Sequence, residues 1–582
     1  MSNLARLISS LLLVFLASCD DGPAQKSVSG DGKTVASDGA ARLARHSLLF
    51  RKEIVNPVPG VYVAVGYGLA NSIMLEGDDG IVIVDTLEGR PQAEEVFAEF
   101  RKLTKKPVKA IILTHNHTDH VFGAKAFAAE ELAKGLSVPV YAHRSTEGYI
   151  DKIVNVLADT IFYRSMHMFG SLLPDEQVLN AGIGPNLKAD TTQLALLRPT
   201  HVFDDVLNVT IAGMRLKLLH MPGETEDQIA VWLPDRKILL PGDNIYQAFP
   251  NLYTIRGTAN RDLMQWVRSL DKLRDLKAGL MVPSHTRPLS GEDQIEDVLA
   301  AYRDAIQYVH DQTVRGINKG MTPDQLVAFV KLPDHLRDHP WLTEFYGTVA
   351  WSVRSVFTGY LGWFDGDGTT LEPISDVERS RRLASAFKDN KPLSEQATQA
   401  YERGEYRWAG ELARHWLNAE PESDKAREVL ASSLTAQAKS HINPNARHWY
   451  LTQAGQLRGT LEVGRPDTTT LPDDFLDGLP IDAFMGGMVT RLKAEDTLET
   501  DTVVGFDFTD LKRQFTVHVR RGVAALRERK PEKADLTIRT TSTAWKRIAT
   551  KKRNPALAFA AGEVEVDGGL LDVVKFLALF ER

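Results

Sequence analysis

Thr114-His115-Asn116-His117-Thr118-Asp119-His120 follows the apolar run Ala110-Ile111-Ile112-Leu113 and puts three imidazoles and a carboxylate within six residues. Imidazole nitrogens and a carboxylate at this density match the donor set of zinc-type cations. A polar loop of hydrogen-bonded histidines is the alternative, and H-x-H-x-D-H directly after a β-branched strand favours the metal. At the mouth of a strand the chain is extended and residues two apart point the same way. His115 and His117 are therefore expected to face one cation, with Asp119 and His120 facing a neighbouring position.

The motif resembles the one carried by the metallo-β-lactamase superfamily, and other segments fit the same pattern. Ile81-Val82-Ile83-Val84-Asp85-Thr86 looks like the strand and buried aspartate that precede the histidines, with Asp85 orienting the ligand loop; a strand-end aspartate capping a turn is the plainer reading. Met221-Pro222-Gly223-Glu224-Thr225 has Glu224 where the superfamily usually has histidine. Leu239 to Asn244 supplies Asp243, and Pro283-Ser284-His285-Thr286 supplies the last histidine. The resemblance implies an αββα sandwich with His115, His117 and Glu224 on one metal, Asp119, His120 and His285 on the other, and Asp243 shared. Three carboxylates against two Zn2+ leave about one positive charge, enough to lower the pKa of water and polarise an ester oxygen. Hydrolysis is the expected reaction type.

Glutamate at the third-ligand position points to the alkyl sulfatases, which this chain is similar to from about residue 44 onward. His46 to Ile54, Gly66 to Asn71, Met168 to Pro174, Asn251 to Gly257, Glu344 to Val349 and Gly359 to Gly366 all look like segments of that family. The resemblance implies hydrolysis of long-chain alkyl sulfates, dodecyl sulfate among them. A sulfate monoester calls for a cationic fork and amide donors, and Arg256, Asn251 and Asn244 follow Asp243 closely. The tail calls for an apolar wall, for which Ile161, Phe162, Met166, Met168, Phe169 and Leu172 are candidates; ordinary core is the alternative for that cluster. Two departures stand out. Phe169 replaces a common tyrosine, and Pro250 stands before Asn251 where a histidine is often found. Proline cannot protonate a leaving alcohol, so Tyr246 or a metal-bound water is expected to serve, or the substrate has a better leaving group. The choice between primary and secondary esters, and between C–O and S–O cleavage, stays open.

The whole chain, 582 residues with 43% hydrophobic and 25% charged, reads as a multidomain globular enzyme. A net charge of −7 with no Lys/Arg-rich tract argues against nucleic acid. Leu7 to Ala17 is apolar but too short to span a bilayer, and Leu16-Ala17-Ser18-Cys19 closes it like a bacterial lipobox. Residues 1–19 are thus expected to be a lipoprotein signal with Cys19, the sole cysteine, acylated; a simple secretory signal is the alternative. Residues 20–43, rich in Gly, Ser, Asp and Ala, read as a flexible tether reaching about 25 Å. A periplasmic enzyme anchored to the membrane follows, with Asp20 favouring the inner one.

After the catalytic region, 44–310, residues 311–460 read as helical, with Tyr401, Gly404, Tyr406, Ala409, Leu412 and Ala413 spaced as in a tetratricopeptide-like hairpin and a helix at Lys425 to Ala438. The resemblance implies a dimerisation domain here, so a homodimer is expected, with a peptide-binding groove as the alternative. Residues 468–582 turn to α/β: Phe506, Phe508, Phe515, Val517, Val519, Leu536 and Ile538 alternate as half-buried strands do, and a helix holding Trp545 follows. Gly562 to Phe580 looks like the close of a sterol-carrier-like domain, which implies either an apolar tunnel or a packed core. The sequence thus predicts a binuclear zinc hydrolase of alkyl sulfates with Asp119, Arg256, Asn251, Asn244 and Tyr246 at the reaction. A hydrolase of lactones, thioesters or phosphate esters on the same fold, and a lipid carrier with a secondary metal site, are the other two readings.

Overall fold

The computed structural model describes residues 36–155, 157–187 and 193–581. Cys19 and the apolar run before it lie outside the described residues. Two sheets form the catalytic region. The first runs in chain order: β1 Glu53–Val58, β2 Val61–Val65, β3 Ser72–Glu76, β4 Ile81–Val84, β5 Val108–Ile112, β6 Val140–His143 and β7 His201–Phe203. The second is built from β8 Val206–Ile211, β9 Met214–His220, β10 Ile229–Leu233, β11 Ile238–Leu240, β12 Leu280–Met281 and β13 Leu289–Ser290, running β13-β12-β11-β10-β9-β8. Valine, isoleucine and leucine from both sheets make one core between them, among them Val63, Val82, Ile112, Leu218, Val231 and Leu240. Helix Arg90–Leu103 covers the outer face of the first sheet through Ala93, Val96, Phe97 and Phe100. Helices Leu263–Asp275 and Glu292–Ile317 cover the second. This is the αββα sandwich that the resemblance implies.

Strand direction decides where chemistry can gather. β4, β5 and β6 are parallel, so Asp85 and the histidine motif leave the first sheet at the same end. β9 and β11 are each antiparallel to β10, and β12 is parallel to β11. Glu224, Asp243 and His285 therefore emerge from the second sheet at one end too. The carboxyl ends of parallel strands are where open α/β sheets place ligands.

The expected tether ends earlier than the sequence predicts. Ala36–His46 is a helix that packs on helix Asp424–Ser440, with Leu43 fully buried. A Cβ at Gly39 would lie 2.6 Å from the Ser440 carbonyl oxygen, so this contact needs glycine. Small residues followed by spaced Leu43 and His46 carry a weak helical signal that only the partner helix makes decisive.

Helices Leu393–Glu402, Tyr406–Ala419, Asp424–Ser440 and Pro444–Leu457 follow one another in antiparallel packing around Ala397, Ala409, Leu412, Ala413, Trp416 and Leu430. Residues 397–419 thus form the helical hairpin that the spacing predicts. The last region holds β14 Asp501–Phe508, β15 Arg513–Arg520, β16 Val523–Arg527, β17 Leu536–Thr540 and β18 Val564–Asp567, running β16-β15-β14-β17-β18. Phe506, Phe508, Phe515 and Trp545 fill its interior as a packed core. A cavity of about 720 Å³ opens between this region and the catalytic one, and Ile548 and Phe580 of that core line it. No helix among the described residues is long and apolar enough to cross a membrane.

Candidate metal centre

Asp85 is buried at the end of β4 with a left-handed backbone, φ 59°. Its Oδ1 accepts the Thr114 backbone N–H at 2.9 Å, and its Oδ2 accepts the Thr114 hydroxyl at 2.9 Å, His120 Nδ1 at 2.8 Å and the Ser284 hydroxyl at 2.7 Å. One carboxylate thus pins both sheets' loops and turns His120 Nε2 outward. Asn71 completes the brace: its side-chain amide donates to the carbonyls of Pro283 and Thr286, and the Leu69 carbonyl accepts His285 Nδ1 at 2.9 Å. Hydrogen-bonding the far nitrogen in this way fixes which nitrogen of a ligand histidine faces the metal.

The histidine motif is not extended. It bends after β5, and Thr118–Val121 is a single helical turn. The bend still brings His115 Nε2 to 2.9 Å from His117 Nδ1. Glu224 Oε2 stands 3.2 Å from His117 Nδ1 and 3.9 Å from His115 Nε2, and Asp243 Oδ2 lies 3.6 Å from His115 Nε2. A second group consists of Asp119, His120 and His285. Asp119 Oδ2 is 3.4 Å from His120 Nε2 and 3.5 Å from His285 Nε2, and Asp243 Oδ2 is 3.4 and 3.1 Å from the same two nitrogens. All seven predicted ligands meet, in two groups whose donor atoms lie within 4.8 Å of one another, and Asp243 touches both.

This donor set fits divalent metal. His120 Nε2, Glu224 Oε2 and Asp243 Oδ1 are buried and have no hydrogen-bond partner among the described residues, which is costly unless something else satisfies them. Burial, reinforced by the nearby His120, pushes His115 well below the usual histidine range, toward the neutral form that ligates. Burial disfavours charge on Asp243, but His285, His120 and His115 outweigh it and hold the carboxyl well below its ordinary range.

Around the ligands, the other predicted residues take different places. Arg256 Nη2 lies 3.1 Å from His117 Nε2, on the side of that ring away from Glu224. Asn251 is buried and its Oδ1 has no protein partner. Asn244 is committed to the scaffold: its Oδ1 accepts the Glu224 N–H at 3.2 Å and its Nδ2 donates to the Met221 carbonyl at 2.6 Å. Gly223 allows that approach, since a Cβ there would stand 2.3 Å from Asn244 Oδ1. The Tyr246 hydroxyl accepts the Asn251 N–H at 2.7 Å, and burial first, then the neighbouring Tyr302, holds its proton far more tightly than usual. It supports the Asn251 loop.

The cavity meets the metal centre at Glu88 and Thr118, the latter lying between His117 and Asp119. Ile161, Phe162 and Met166 line it, while Met168 and Phe169 are packed core and Leu172 is exposed. The opposite wall comes from the last region through Phe484, Met488, Leu577 and Phe580. Three residues near the site escape the sequence reading. Glu88 is buried and, chiefly for that reason, its pKa is pushed up to about 8. Arg164 donates from Nε to the Arg256 carbonyl at 2.8 Å. Arg261 Nη1 donates to Glu224 Oε1 at 3.0 Å. Their partners are far enough away in the chain that no local spacing signals them.

Comparison with known proteins matches residues 65–285 to the Metallo-beta-lactamase superfamily, 322–460 to Alkyl sulfatase dimerisation and 469–582 to Alkyl sulfatase C-terminal. A linear primary-alkylsulfatase of Pseudomonas sp. is 39% identical over 522 residues, covering 87% of this chain and 98% of that protein. An (R)-specific secondary-alkylsulfatase of Pseudomonas sp. is 29% identical over 90% of this chain and 80% of its own. The solved structure of the stereoselective inverting sec-alkylsulfatase Pisa1 from Pseudomonas sp. superposes with a TM-score of 0.86 at 25% identity, over 95% of this chain and 88% of that one. With its ligand cluster, its helical region and its last α/β region each matched in turn, the chain belongs to the alkyl sulfatase family of the metallo-β-lactamase superfamily.

Proposed function

We propose that this protein hydrolyses alkyl sulfate esters to alcohol and sulfate at a centre holding two Zn2+ per chain. The observation that carries the reading is the apolar cavity ending at Thr118, between two ligands: a sulfate at the metals leaves its alkyl tail in that cavity. Bound metals supply Lewis acidity and lower the pKa of water. The chain's own residues do the rest. Arg256 offers its guanidinium beside His117 as the fork for sulfate oxygens, the buried Asn251 adds its side-chain N–H, and Arg164 holds the Arg256 backbone in place. Asp119 both ligates and faces the reacting ester. Asn244 and Tyr246 act through the loops they brace. Phe122, Phe162 and the last region's Met488 and Leu577 exclude water from the tail. The test is sulfate release from dodecyl sulfate by protein of measured metal content. Sulfate appearing in proportion to bound metal supports the reading; cleavage of acyl or phosphoryl esters alone, or lipid transfer without turnover, overturns it.

Two further readings concern assembly and place. Residues 322–460 match Alkyl sulfatase dimerisation and expose Tyr360, Leu361, Trp363 and Leu371, in line with a homodimer. Cys19, after its apolar run, favours a lipid-anchored periplasmic enzyme on the inner membrane. Cys19→Ser is expected to move the protein from the membrane to the soluble fraction with its specific activity kept. Wild-type protein found unmodified and soluble in the cytoplasm overturns the anchoring.

A further inference from the structure

Glu224 carries a charge that an imidazole in its place would lack, and the fold sets a counter-charge against it. Arg261 lies between the Asn251–Gly257 segment and helix Leu263–Asp275; its side chain is 4% exposed and that of Glu224 2%. Nη1 donates to Glu224 Oε1 at 3.0 Å and also to the Asn251 carbonyl. Nε and Nη2 are buried without hydrogen-bond partners among the described residues. The two oxygens of Glu224 thus divide their work. Oε1 is held by the guanidinium, while Oε2, with no hydrogen bond, points at the histidines.

A buried guanidinium needs an anion beside it, and a buried carboxylate left without its cation is strongly disfavoured. Counting charge sharpens the point. Three carboxylates against two divalent cations leave one positive charge; Arg261 raises it to two. That is the total the same site would have with a neutral histidine at 224 and a neutral residue at 261.

We infer that Arg261 is a positioning residue that neutralises the ligand Glu224 and aims its free oxygen at the metal, so that the pair stands in for one neutral imidazole. The inference rests on the metal-centre reading above. It makes a specific demand: histidine at 224 is compatible with metal only when the charge at 261 is removed as well. With Glu224→His alone, the guanidinium loses its anion and faces a cation. With Arg261→Met alone, Oε1 loses its donor and Oε2 is no longer aimed at the histidines.

The test is a double-mutant cycle in the full-length protein: Glu224→His, Arg261→Met, both together, and Arg261→Lys. Zn2+ retained after dialysis is measured by mass spectrometry, and thermal unfolding is followed with and without chelator. Glu224→His is expected to lose at least half of the Zn2+ that the wild type retains. Arg261→Met is expected to bind Zn2+ at least 10-fold more weakly, and Arg261→Lys to lie between it and the wild type. The double variant is expected to return to near wild-type content and to regain the chelator-sensitive part of its stability. Independent, additive losses in the double variant of a protein that otherwise holds its metal overturn the role of Arg261 alone. A wild type that retains no metal overturns the metal centre itself.

Discussion

Arg256 and Arg261 stand five residues apart and do different things, which sequence position alone does not reveal. Arg256 reaches the outer nitrogen of His117, and in the proposed reaction its planar pair of donors is the fork for sulfate. Arg256→Lys keeps the charge and loses the fork, so kcat/KM for dodecyl sulfate is expected to fall about 10-fold or more. Steady-state kinetics check this; unchanged values in both the Lys and Ala variants would place the residue outside the site. The clustered donors themselves are legible in the sequence because six consecutive positions carry four of them. Asn244 is not legible in the same way. An amide one residue after a ligand looks suited to substrate, yet both ends of it are taken by the Met221–Glu224 loop.

At the scale of elements, the entry helix Ala36–His46 shows how a weak local signal becomes firm structure. His46 stacks on Phe345 at 3.9 Å and Nε2 donates to the Gly182 carbonyl at 2.7 Å. Burial pulls its pKa down to about 4, against the weaker opposing effect of the Gly182 bond. A histidine depressed in the folded state contributes stability that is present above its unfolded pKa near 6.5 and lost as pH falls toward 4. The shift corresponds to about 3 kcal/mol across that window. Calorimetry between pH 6.5 and 4 is expected to show this loss in the wild type and a flatter profile in His46→Phe. An equal slope in both would mean that His46 titrates normally. The strands of both sheets are readable from their valine and isoleucine runs. The helix covering residues 36–46 is not, since its apolar face exists only where Ser440 and its neighbours come to meet it.

For the molecule as a whole, the proposed seat of the alkyl tail is the cavity between the catalytic and last regions. Each methylene moved from water into it contributes about 0.8 kcal/mol, so kcat/KM is expected to rise about fourfold per carbon from hexyl to dodecyl sulfate. Leu577→Trp, on the wall from the last region, should flatten that rise while leaving short esters nearly untouched. A steep rise that survives this substitution would place the tail elsewhere. The sequence by itself carried the histidine motif and the alternation of the last strands, because these are local properties written into consecutive residues, and its resemblance to a known family implied the sandwich and the seven residues that the fold gathers. Only the tertiary structure decided that the last region packs Phe506, Phe508, Phe515 and Trp545 inside and lends Ile548 and Phe580 of the same core to a shared cavity. It likewise decided that Met168 and Phe169 are core while Phe162 and Met166 are wall, and that Arg261 answers Glu224. The reason is physical: burial and charge pairing are set by which surfaces meet, and residues 37 or 400 positions apart meet only once the chain has folded.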